Sequence, residues 1–591
     1  MKIDINYRRD NYLSEFSIKT LEDRYMVDGE ISPQDAFARA AKTFADDEAH
    51  AQRLYDYASK LWFMFSTPIL SNGGTSRGLP ISCFLNYVDD SRTGITSHYT
   101  ENAFLSSVGG GIGGSWDGVR SVGSKTSNGS ESTGVIPFLK VVDAEMLAFS
   151  QGVTRRGSYA AYLDIGHPEI EEFLDVRKPT GGDINRKSIN LHHGVVISDK
   201  FMEIIENATR TEGFDDSWDL IDPHSKRVVK TVSAKALWVK LIQNRVETGE
   251  PYIMFGDTVQ DALPEFQKEL GLKARQSNLC SEITLATNED RTAVCCLSSV
   301  NLEEYDEWKD NAQFIPDLVR MLDNVLDHFI EKAPDELEKA KFSAFRERSI
   351  GLGAMGFHAY LQRQNIPFES ALAKSANMRM FKYIKSEAEN ATRLLAKERG
   401  DCPDGIGYGI RNAHLLAIAP NASSSIICGN TSPSIEPYRA NAFTQKTKTG
   451  SSLLKNEYLE HHLDEIGMND EEVWKSILTN GGSVQHLEFL DDYTKDVFKT
   501  AVEIDQRWVI DMAADRQKYI CQSQSLNVFF PGNVSKQELH AVHMMAWKQK
   551  VKTLYYLRSE AVKRAENVSV EALRQYIFDS IDENACLACE G

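Results

Sequence analysis

Residues 66–88, STPILSNGGTSRGLPISCFLNYV, mark the point where the pattern of apolar residues along the chain changes. Before them, apolar residues recur at helical spacing, and Ser32-Pro33 opens the long helical stretch SPQDAFARAAKTFADDEAHAQRLYDYASKLWFMF. After them, glycine, serine, threonine and proline alternate with apolar runs of strand length. We therefore predict a helical region over residues 1–65, followed by strands at CFLNYV, GVIPFLKVV, YAAYLDI and HHGVVIS.

Helical patterns such as ALWVKLIQNRVETG and FIPDLVRMLDNVLDHFIEKA separate these strand-sized runs. No Pro-rich or Gly-rich linker interrupts the alternation, which predicts a single large α/β body over residues 66–565. The pattern SVEALRQYIFDSI and an acidic tail follow it. For residues 566–591 we expect a C-terminal helix and a flexible tail.

The composition sets broad limits on function. The 591 residues are 42% hydrophobic and 26% charged, as in globular proteins. The net charge of −19 argues against general nucleic-acid or membrane binding. The sequence has no signal peptide and no apolar run long enough to span a membrane. Its nine cysteines are odd in number and thinly spread. These features predict a cytoplasmic protein with redox or catalytic thiols.

The chain ends in CLACEG, which places Cys586 and Cys589 in a C-x-x-C pair. A structural disulfide between these two residues would not attach the chain end to the rest of the protein. A zinc ribbon needs a second C-x-x-C pair, which the sequence lacks. The remaining interpretation is a mobile dithiol that carries electrons to a site inside the protein.

The segment SNLCSE brings together an amide, a thiol and a carboxylate at alternate positions, Asn278, Cys280 and Glu282. In an extended segment all three side chains point to one side, whereas on a helix Cys280 would point away. Such a set can bind a vicinal diol, abstract an atom and accept a proton. The alternative is a polar loop without function.

Two further segments have both a structural and a chemical interpretation. Cys83 in LPISCFLNYV and the neighbours Cys295 and Cys296 in AVCCLSSVNL lie in strand-like runs. They are either small buried hydrophobes or, if two of them meet in the fold, a reversible disulfide. Tyr555 and Tyr556 in the strand-like TLYYLRS either pack in the core or relay an electron and a proton.

Glycine and serine motifs give two possible ligand contacts. GGGIGG, residues 109–114, fits the pattern G-x-G-x-x-G, but the residues around it lack the strand and helix of a dinucleotide site. It is therefore interpreted either as a glycine loop that lies against a ligand or as a flexible glycine loop. PNASSS offers either an anion site at a helix start or simple capping. No H-E-x-x-H, Walker A or G-x-S-x-G motif occurs, and we predict no metal site in this chain.

Taken in order, these segments resemble the large, catalytic subunit of class I ribonucleotide reductases. The matching segments, from about residue 66 to residue 591, are TPILSNGGTSRGLPISC, GGGIGG, QGVTRRGSYAAYLDIGHPEIEEFLDVRK, SNLCSE, AVCCLSSVNL, PNASSS with SIEPY, TLYYLR and CLACEG. The resemblance implies a ten-stranded α/β barrel, made of two antiparallel halves of five parallel strands. A central finger loop would carry Cys280 at its tip.

The resemblance also implies roles for the residues of the centre. Cys280 would hold a thiyl radical that removes the 3′ hydrogen of a ribonucleoside diphosphate. Glu282 would act as general base, and Asn278 would bind the ribose hydroxyls. Cys83 and Cys295 match the two reducing thiols, although the adjacent Cys296 leaves open which of the two pairs with Cys83.

Electrons and the radical would both come from partners. Cys586 and Cys589 would re-reduce the internal disulfide and exchange with thioredoxin or glutaredoxin. Tyr555 and Tyr556 would relay a radical from a separate small subunit that holds a metal or an oxidised side chain. Coenzyme B12-dependent relatives need no such relay.

Substrate and effector contacts follow from the same resemblance. The substrate-binding positions are Thr67, Ser82, Gly111, Asn421, Ser423 and Ser424. A specificity site for a deoxynucleoside triphosphate or ATP, at a homodimer interface, would use Asp90, Arg120, Gln151 and Arg155. Only 66 residues precede Thr67, and none shows the opening pattern of an ATP-cone, so we predict a form that lacks this domain.

Two other functions are compatible with parts of the sequence. An inactive regulatory paralogue would bind nucleotide or small subunit without catalysis, but it could have lost the thiols and tyrosines that this chain retains. A plain thiol-disulfide oxidoreductase would use Cys586 and Cys589, but it leaves the other motifs unexplained.

Overall fold

Strands and helices alternate along the computed structural model, which describes residues 1–81, 83–149, 157–447 and 450–559. In these residues the strands are β1 (Phe63–Phe65), β2 (Cys83–Tyr87), β3 (Gly111–Ser115), β4 (Ser158–Asp164), β5 (His192–Ile197), β6 (Ser217–Ile221), β7 (Val228–Ser233), β8 (Tyr252–Phe255), β9 (Ala293–Asn301), β10 (Ile350–Met355), β11 (Ala442–Thr447), β12 (Gly450–Lys455), β13 (Val528–Phe530), β14 (Thr553–Leu554) and β15 (Leu557–Ser559).

The α-helices of the same residues lie mainly between these strands. They are α1 (Glu15–Arg24), α2 (Pro33–Phe44), α3 (Glu48–Ser59), α4 (Thr67–Asn72), α5 (Arg92–Ser107), α6 (Ile136–Phe149), α7 (Ile170–Leu174), α8 (Asp199–Arg210), α9 (Ala234–Thr248), α10 (Gly256–Asp261), α11 (Glu265–Glu269), α12 (Tyr305–Trp308), α13 (Phe314–Lys332), α14 (Glu338–Glu347), α15 (Phe357–Arg363), α16 (Ala371–Arg399), α17 (Ala422–Ile427), α18 (Glu457–Glu465), α19 (Glu471–Thr479), α20 (Asp492–Val497), α21 (Gln506–Gln517) and α22 (Lys536–Lys548).

Five parallel strands form the first half of the barrel, in the order β2-β3-β4-β5-β8. Helices connect most of them, as parallel pairing requires. Because both faces of these strands are covered, nearly all of their residues are buried rather than alternately buried and exposed. At either edge of this half the next strand runs antiparallel: β9 pairs with β2, and β14 pairs with β8.

The second half of the barrel closes the ring between these two seams. β9 and β10 pair in parallel, and single parallel bridges continue from Leu352 to Leu416 and from Ile418 to Gln524. β13 and β15 then pair in parallel beside β14. The segments around residues 416–418 and 524–530 thus take two strand positions. Five positions in each half confirm the ten-stranded barrel of two antiparallel halves.

The finger loop, residues 270–292, runs from α11 to β9 through the interior of this barrel. Its Gln276 amide donates to the main-chain oxygens of Asn86 on β2 and Gly113 on β3. On the opposite wall, the main-chain N–H of Ser523 donates to the carbonyl of Glu282. The loop is therefore held by both halves of the barrel.

The helical N-terminal region is confirmed over most of its length. Ser32 caps α2 in a capping box with Asp35, and Pro33 is the first helical residue, as the sequence predicts. The prediction is wrong at the end of the stretch, where FMF forms β1 and pairs antiparallel with β9. All three of its residues are buried, and such a short apolar run gives no period that separates strand from helix.

Two other sequence predictions of local structure are wrong. GVIPFLKVV belongs to helix α6, where Ile136, Leu139, Val142 and Met146 supply a buried stripe whose helical period extends beyond the quoted run. GGGIGG is not a loop: from Gly111 onward it forms β3, with Gly111 between Cys83 and Ser158 on the neighbouring strands.

The glycines of β3 are required by close packing. A β-carbon at Gly113 would lie 1.9 Å from the main-chain oxygen of Ser277 in the finger loop. A β-carbon at Gly114 would overlap the hydroxyl of Tyr159. The bare backbone of this strand thus makes room for the loop that carries the central thiol.

We expect Gly113→Ala to destabilise the protein by about 3 kcal/mol, because the added methyl group overlaps main-chain atoms that cannot rotate away. Thermal unfolding should show a clear decrease in melting temperature. Gly78→Ala is the matched control, since its nearest contact is the movable side chain of Asn72 at 3.2 Å. Equal melting temperatures for both variants would contradict this account of β3.

Candidate functional site

The tip of the finger loop is a tight turn. The Ser281 main-chain N–H donates to the Asn278 carbonyl at 3.3 Å, and Ser281 has a positive φ of 69°. The Asn278 side-chain oxygen accepts from the Ile283 main-chain N–H at 3.2 Å and closes the turn. The segment SNLCSE is therefore not extended, because these local hydrogen bonds bend the chain between Asn278 and Glu282.

The turn is anchored from three sides by hydroxyl groups. The Ser525 hydroxyl lies 2.5 Å from the carbonyl oxygen of Cys280 and 3.0 Å from Glu282 Oε2. The Thr553 hydroxyl donates to the Ser281 carbonyl at 2.8 Å, and the Tyr162 hydroxyl donates to the Asn278 carbonyl at 2.9 Å. The positions of the thiol and the carboxylate are thereby fixed relative to the barrel wall.

The predicted residues of this turn lie inside the protein. Cys280 is 1% exposed, and Asn278 and Glu282 are fully buried. Within the described residues, Asn278 Nδ2 has no hydrogen-bond partner. A buried amide donor without a partner is costly, so this atom is suited to contact a ligand.

Cys83 and Cys295 face each other across the seam between the two barrel halves. They are register partners on the antiparallel strands β2 and β9. Directly opposed residues of such strands have Cα atoms about 4.5–5.5 Å apart, and this separation lies within the range of a disulfide, about 4.4–6.8 Å. Both cysteines are buried, and both belong to an apolar cluster with Ile283 and Leu285 of the finger loop.

Cys296 points to the other side of β9, because side chains alternate along a strand. Its sulfur donates to the Leu322 carbonyl of α13 at 3.3 Å, and it packs in the outer core with the helices. Burial raises the pKa of Cys296 and raises that of Cys295 well above its usual value. Of the two neighbours, Cys295 is the one that shares a face with Cys83.

Tyr555 and Tyr556 lie between β14 and β15, so the run TLYYLRS is two short strands rather than one. Their ring centroids are 4.3 Å apart. Tyr252 of β8 contacts both rings, at 4.8 Å and 5.1 Å. These three tyrosines and Cys280 belong to one buried cluster. Aromatic rings thus extend continuously to the neighbourhood of the finger tip.

A buried charge network lies beside Tyr556. Its hydroxyl is 3.3 Å from His192 Nδ1, which is 2.6 Å from Glu250 Oε1. Glu250 also binds the guanidinium of Arg177 and the ring of His193. Burial opposes the ionisation of Glu250, but Arg177, His192 and His193 outweigh it and hold the pKa of the carboxyl well below its usual range.

The predicted phosphate contacts come from two elements that meet beside β1. Ser423 and Ser424 lie in the first turn of α17, which packs against β1, and Thr67 begins α4 two residues after this strand. Asn421 precedes α17 with a positive φ of 56° and donates to the Ser299 hydroxyl. In the described residues, Asn421 Oδ1 and the Ser424 hydroxyl have no hydrogen-bond partner.

Two of the predicted effector residues bind each other. The Arg120 Nε donates to Asp90 Oδ2 at 2.9 Å, next to the start of α5. α5 packs against α6, and these helices expose Phe104, Val141, Leu147 and Phe149. The predicted residues that lie outside the described part of the chain are Ser82, Gln151, Arg155, Cys586 and Cys589.

Candidate metal sites and candidate membrane-spanning helices are both absent from the described ranges. These ranges contain no group of three or more His, Cys, Asp or Glu side chains that could hold a metal ion. Their helices include none with the length and apolar character needed to cross a membrane.

Several residues of the site escaped the sequence analysis. Ser525 and Gln522 in QSQSLN contact Glu282 and Cys295, and Tyr252, His192 and Glu250 surround the tyrosine pair. The polar run QSQS between apolar segments is a local signal that could have identified the first two. The others are recognisable only when β5 and β8 are placed next to β14.

The fold and the site together define an oxidoreductase, a barrel enzyme with a thiol at its centre and a thiol pair on its wall. Family models match residues 12–78 as "Ribonucleotide reductase, all-alpha domain" and residues 81–405 and 403–557 as "Ribonucleotide reductase, barrel domain". The chain is similar to the ribonucleoside-diphosphate reductase large subunit of Invertebrate iridescent virus 3, with 45% identity over the full length of both chains.

More distant proteins agree with this match. The large chain of the same enzyme from Cryptosporidium parvum is 31% identical over 96% of this chain and 77% of its own length. The class Id ribonucleotide reductase alpha subunit of Actinobacillus ureae superposes with a TM-score of 0.81 at 36% identity, covering 93% of this chain and 97% of that one. The chain belongs to the ribonucleotide reductase family and, within it, to the class I large subunits.

We expect Glu250→Gln to destabilise the protein by about 3 kcal/mol at pH 7, because Arg177 loses the carboxylate it pairs with. The depressed pKa of Glu250 stabilises the fold above the ordinary carboxyl pKa of about 4.3, and this contribution is lost as the pH falls below it. The difference in urea midpoint between wild type and Glu250→Gln should therefore shrink below pH 4.3. The exposed Glu336→Gln is the control, and a pH-independent difference would contradict the assignment.

Proposed function

We propose that this chain is the catalytic large subunit of a ribonucleoside-diphosphate reductase, which reduces ribonucleoside diphosphates to 2′-deoxyribonucleoside diphosphates for DNA synthesis. The observation that supports this most directly is the placement of three reactive groups in one barrel. Cys280 and Glu282 occupy the finger tip, and Cys83 opposes Cys295 on the adjacent wall. Family membership supplies the substrate class.

The proposed reaction begins at Cys280. Its thiyl radical takes the 3′ hydrogen atom of the substrate, Glu282 accepts the proton of the 3′-hydroxyl, and Asn278 holds the ribose hydroxyls. The anchoring of Glu282 by Ser525 supports this role, because a base must be held within reach of its proton. The free donor of Asn278 supports the contact with a hydroxyl.

The two wall thiols then supply the electrons. The 2′-hydroxyl leaves as water with a proton from one thiol, and the other thiol gives a hydrogen atom to C2′. Cys83 and Cys295 have then lost two hydrogens with their two electrons and form a disulfide, and Glu282 returns its proton to the 3′ oxygen. Cys280 returns the hydrogen atom to C3′ and regains its radical. Burial keeps Cys295 protonated, which suits a group that donates hydrogen rather than one that attacks as a thiolate.

Partners supply the radical and the reducing equivalents. We propose that a small subunit, carrying the metal or oxidised side chain, generates the radical and that Tyr556 and Tyr555 pass it to Cys280. The contact of the two rings supports this relay. Cys586 and Cys589 would reduce the internal disulfide by thiol exchange and be reduced in turn by thioredoxin or glutaredoxin.

Nucleotides would bind at two further places. The substrate diphosphate would contact Thr67, Ser423 and Ser424, of which the Ser424 hydroxyl has no hydrogen-bond partner in the described residues. Ser82, Gly111 and Asn421 would add further contacts. A deoxynucleoside triphosphate or ATP would bind at Asp90 and Arg120, together with Gln151 and Arg155, and set substrate choice. The exposed apolar side chains of α5 and α6 support a homodimer at this site.

The decisive experiment is the reduction of CDP to dCDP with dithiothreitol, with a small subunit and a series of deoxynucleotide effectors. We expect product only when the small subunit is present, and none from Cys280→Ser or Tyr556→Phe, which remove the radical-bearing thiol and a phenol of the relay. Nucleotide binding by both variants is the control for folding. Turnover by Cys280→Ser, or by the chain alone with adenosylcobalamin, would contradict the proposal.

The proposed dimer gives a separate prediction. Leu147→Glu places a charge on the exposed apolar face of α6 and should shift the chain toward monomer by at least tenfold in dissociation constant, a cost of about 1.4 kcal/mol. Analytical ultracentrifugation measures this constant. Leu394→Glu on α16 is the matched control, since Leu394 is similarly exposed but distant in sequence. Equal dissociation constants for both variants would place the interface elsewhere.

A further inference from the structure

Gln522 contacts one of the two opposed wall thiols. Its side-chain Nε2 lies 3.4 Å from Cys295 Sγ and 3.0 Å from the main-chain oxygen of Ile350. The residue is fully buried. The carbonyl of Ile350 can only accept a hydrogen bond, so the amide nitrogen, rather than the amide oxygen, faces the sulfur.

The position of this amide is fixed by its main chain. The Gln522 N–H donates to the carbonyl of Leu416 at 3.2 Å, and its carbonyl accepts from the Lys552 ammonium at 2.7 Å and from the Gln517 amide at 3.0 Å. With both main-chain groups bonded, the side chain projects toward β9. Its two N–H bonds serve the Ile350 carbonyl and the Cys295 sulfur.

Beside Gln522, strand β10 leaves room for the Cys295 sulfur because it carries a glycine there. A β-carbon at Gly351 on β10 would lie 3.0 Å from Cys295 Sγ. Leu85, Ile283 and Ala417 are apolar neighbours of the thiol pair. In such surroundings a thiolate is strongly disfavoured unless a donor faces it.

We propose that Gln522 stabilises Cys295 as the leaving thiolate when the Cys83–Cys295 disulfide is reduced. The inference rests on the proposed function, which makes these two residues the reducing pair. An N–H donor aimed at one sulfur lowers the energy of negative charge on that sulfur. It thereby directs the attacking thiolate to Cys83.

The disulfide is reduced in two exchange steps. A thiolate of an external dithiol attacks Cys83 Sγ, the Cys83–Cys295 bond breaks, and Cys295 leaves with the electron pair while Gln522 donates to it. The second thiolate of the dithiol attacks the mixed disulfide, and Cys83 leaves in turn. The dithiol loses two protons and two electrons, and Cys83 and Cys295 gain them as two thiols.

The test follows reduction of the internal disulfide directly, without nucleotide turnover. The full-length chain is oxidised, treated with excess dithiothreitol at pH 8, and sampled by alkylation and peptide mass spectrometry at Cys83 and Cys295. Gln522→Leu, which keeps the size and loses both donors, should slow reduction about tenfold, as expected for a hydrogen bond to a charged group. Gln522→Glu should slow it further, because a carboxylate repels the thiolate.

Gln517→Leu is the matched control. It removes a buried amide that supports the same main-chain segment but does not touch the sulfur, and it should leave the reduction rate unchanged. Equal rates for wild type and Gln522→Leu would overturn the inference, as would equal slowing in all three variants. If the wild type forms no Cys83–Cys295 disulfide even after turnover, the proposed reducing pair itself fails, and the inference fails with it.

Discussion

The passage of the finger loop through the barrel is the constraint on which the rest of the structure depends. A loop in a protein interior must find partners for its main-chain polar groups without water. Here the strands of both halves supply them, through Tyr162, Ser523, Ser525 and Thr553. The wall therefore carries hydroxyl groups at positions where a barrel packed only with apolar side chains would carry branched aliphatic residues.

The finger tip is held to the barrel wall through its main-chain carbonyl groups. The carbonyl groups of the finger tip are bonded to the wall, whereas an amide donor of Asn278 and the thiol of Cys280 remain inside the barrel. Gly113 contributes by having no side chain, since the main chain of Ser277 occupies the space. The glycine-rich strand β3 thus makes room for the bent loop, and the polar QSQS segment on the opposite wall holds the loop in place.

The barrel itself could be predicted from the sequence, and its individual elements only in part. The runs CFLNYV, YAAYLDI and HHGVVIS are strands as predicted, whereas GVIPFLKVV is helical because its buried stripe continues beyond the quoted residues. The attachment of the SNLCSE turn to the barrel wall could not be foreseen, since the hydroxyl groups that anchor the turn are distant in sequence. The same holds for Gln522 and Glu250, whose partners lie far away in sequence.

The alternation of side chains along β9 also has a consequence for folding. Cys295 and Cys296 are adjacent, yet one faces Cys83 and the other faces α13. A slip of β9 by a single residue would exchange them and turn Cys296 toward Cys83. The six-residue pairing of β9 with β10 opposes that slip. The alignment of β9 with β2 therefore determines which of the two thiols faces Cys83, and a disulfide between Cys83 and Cys296 would be incompatible with that alignment.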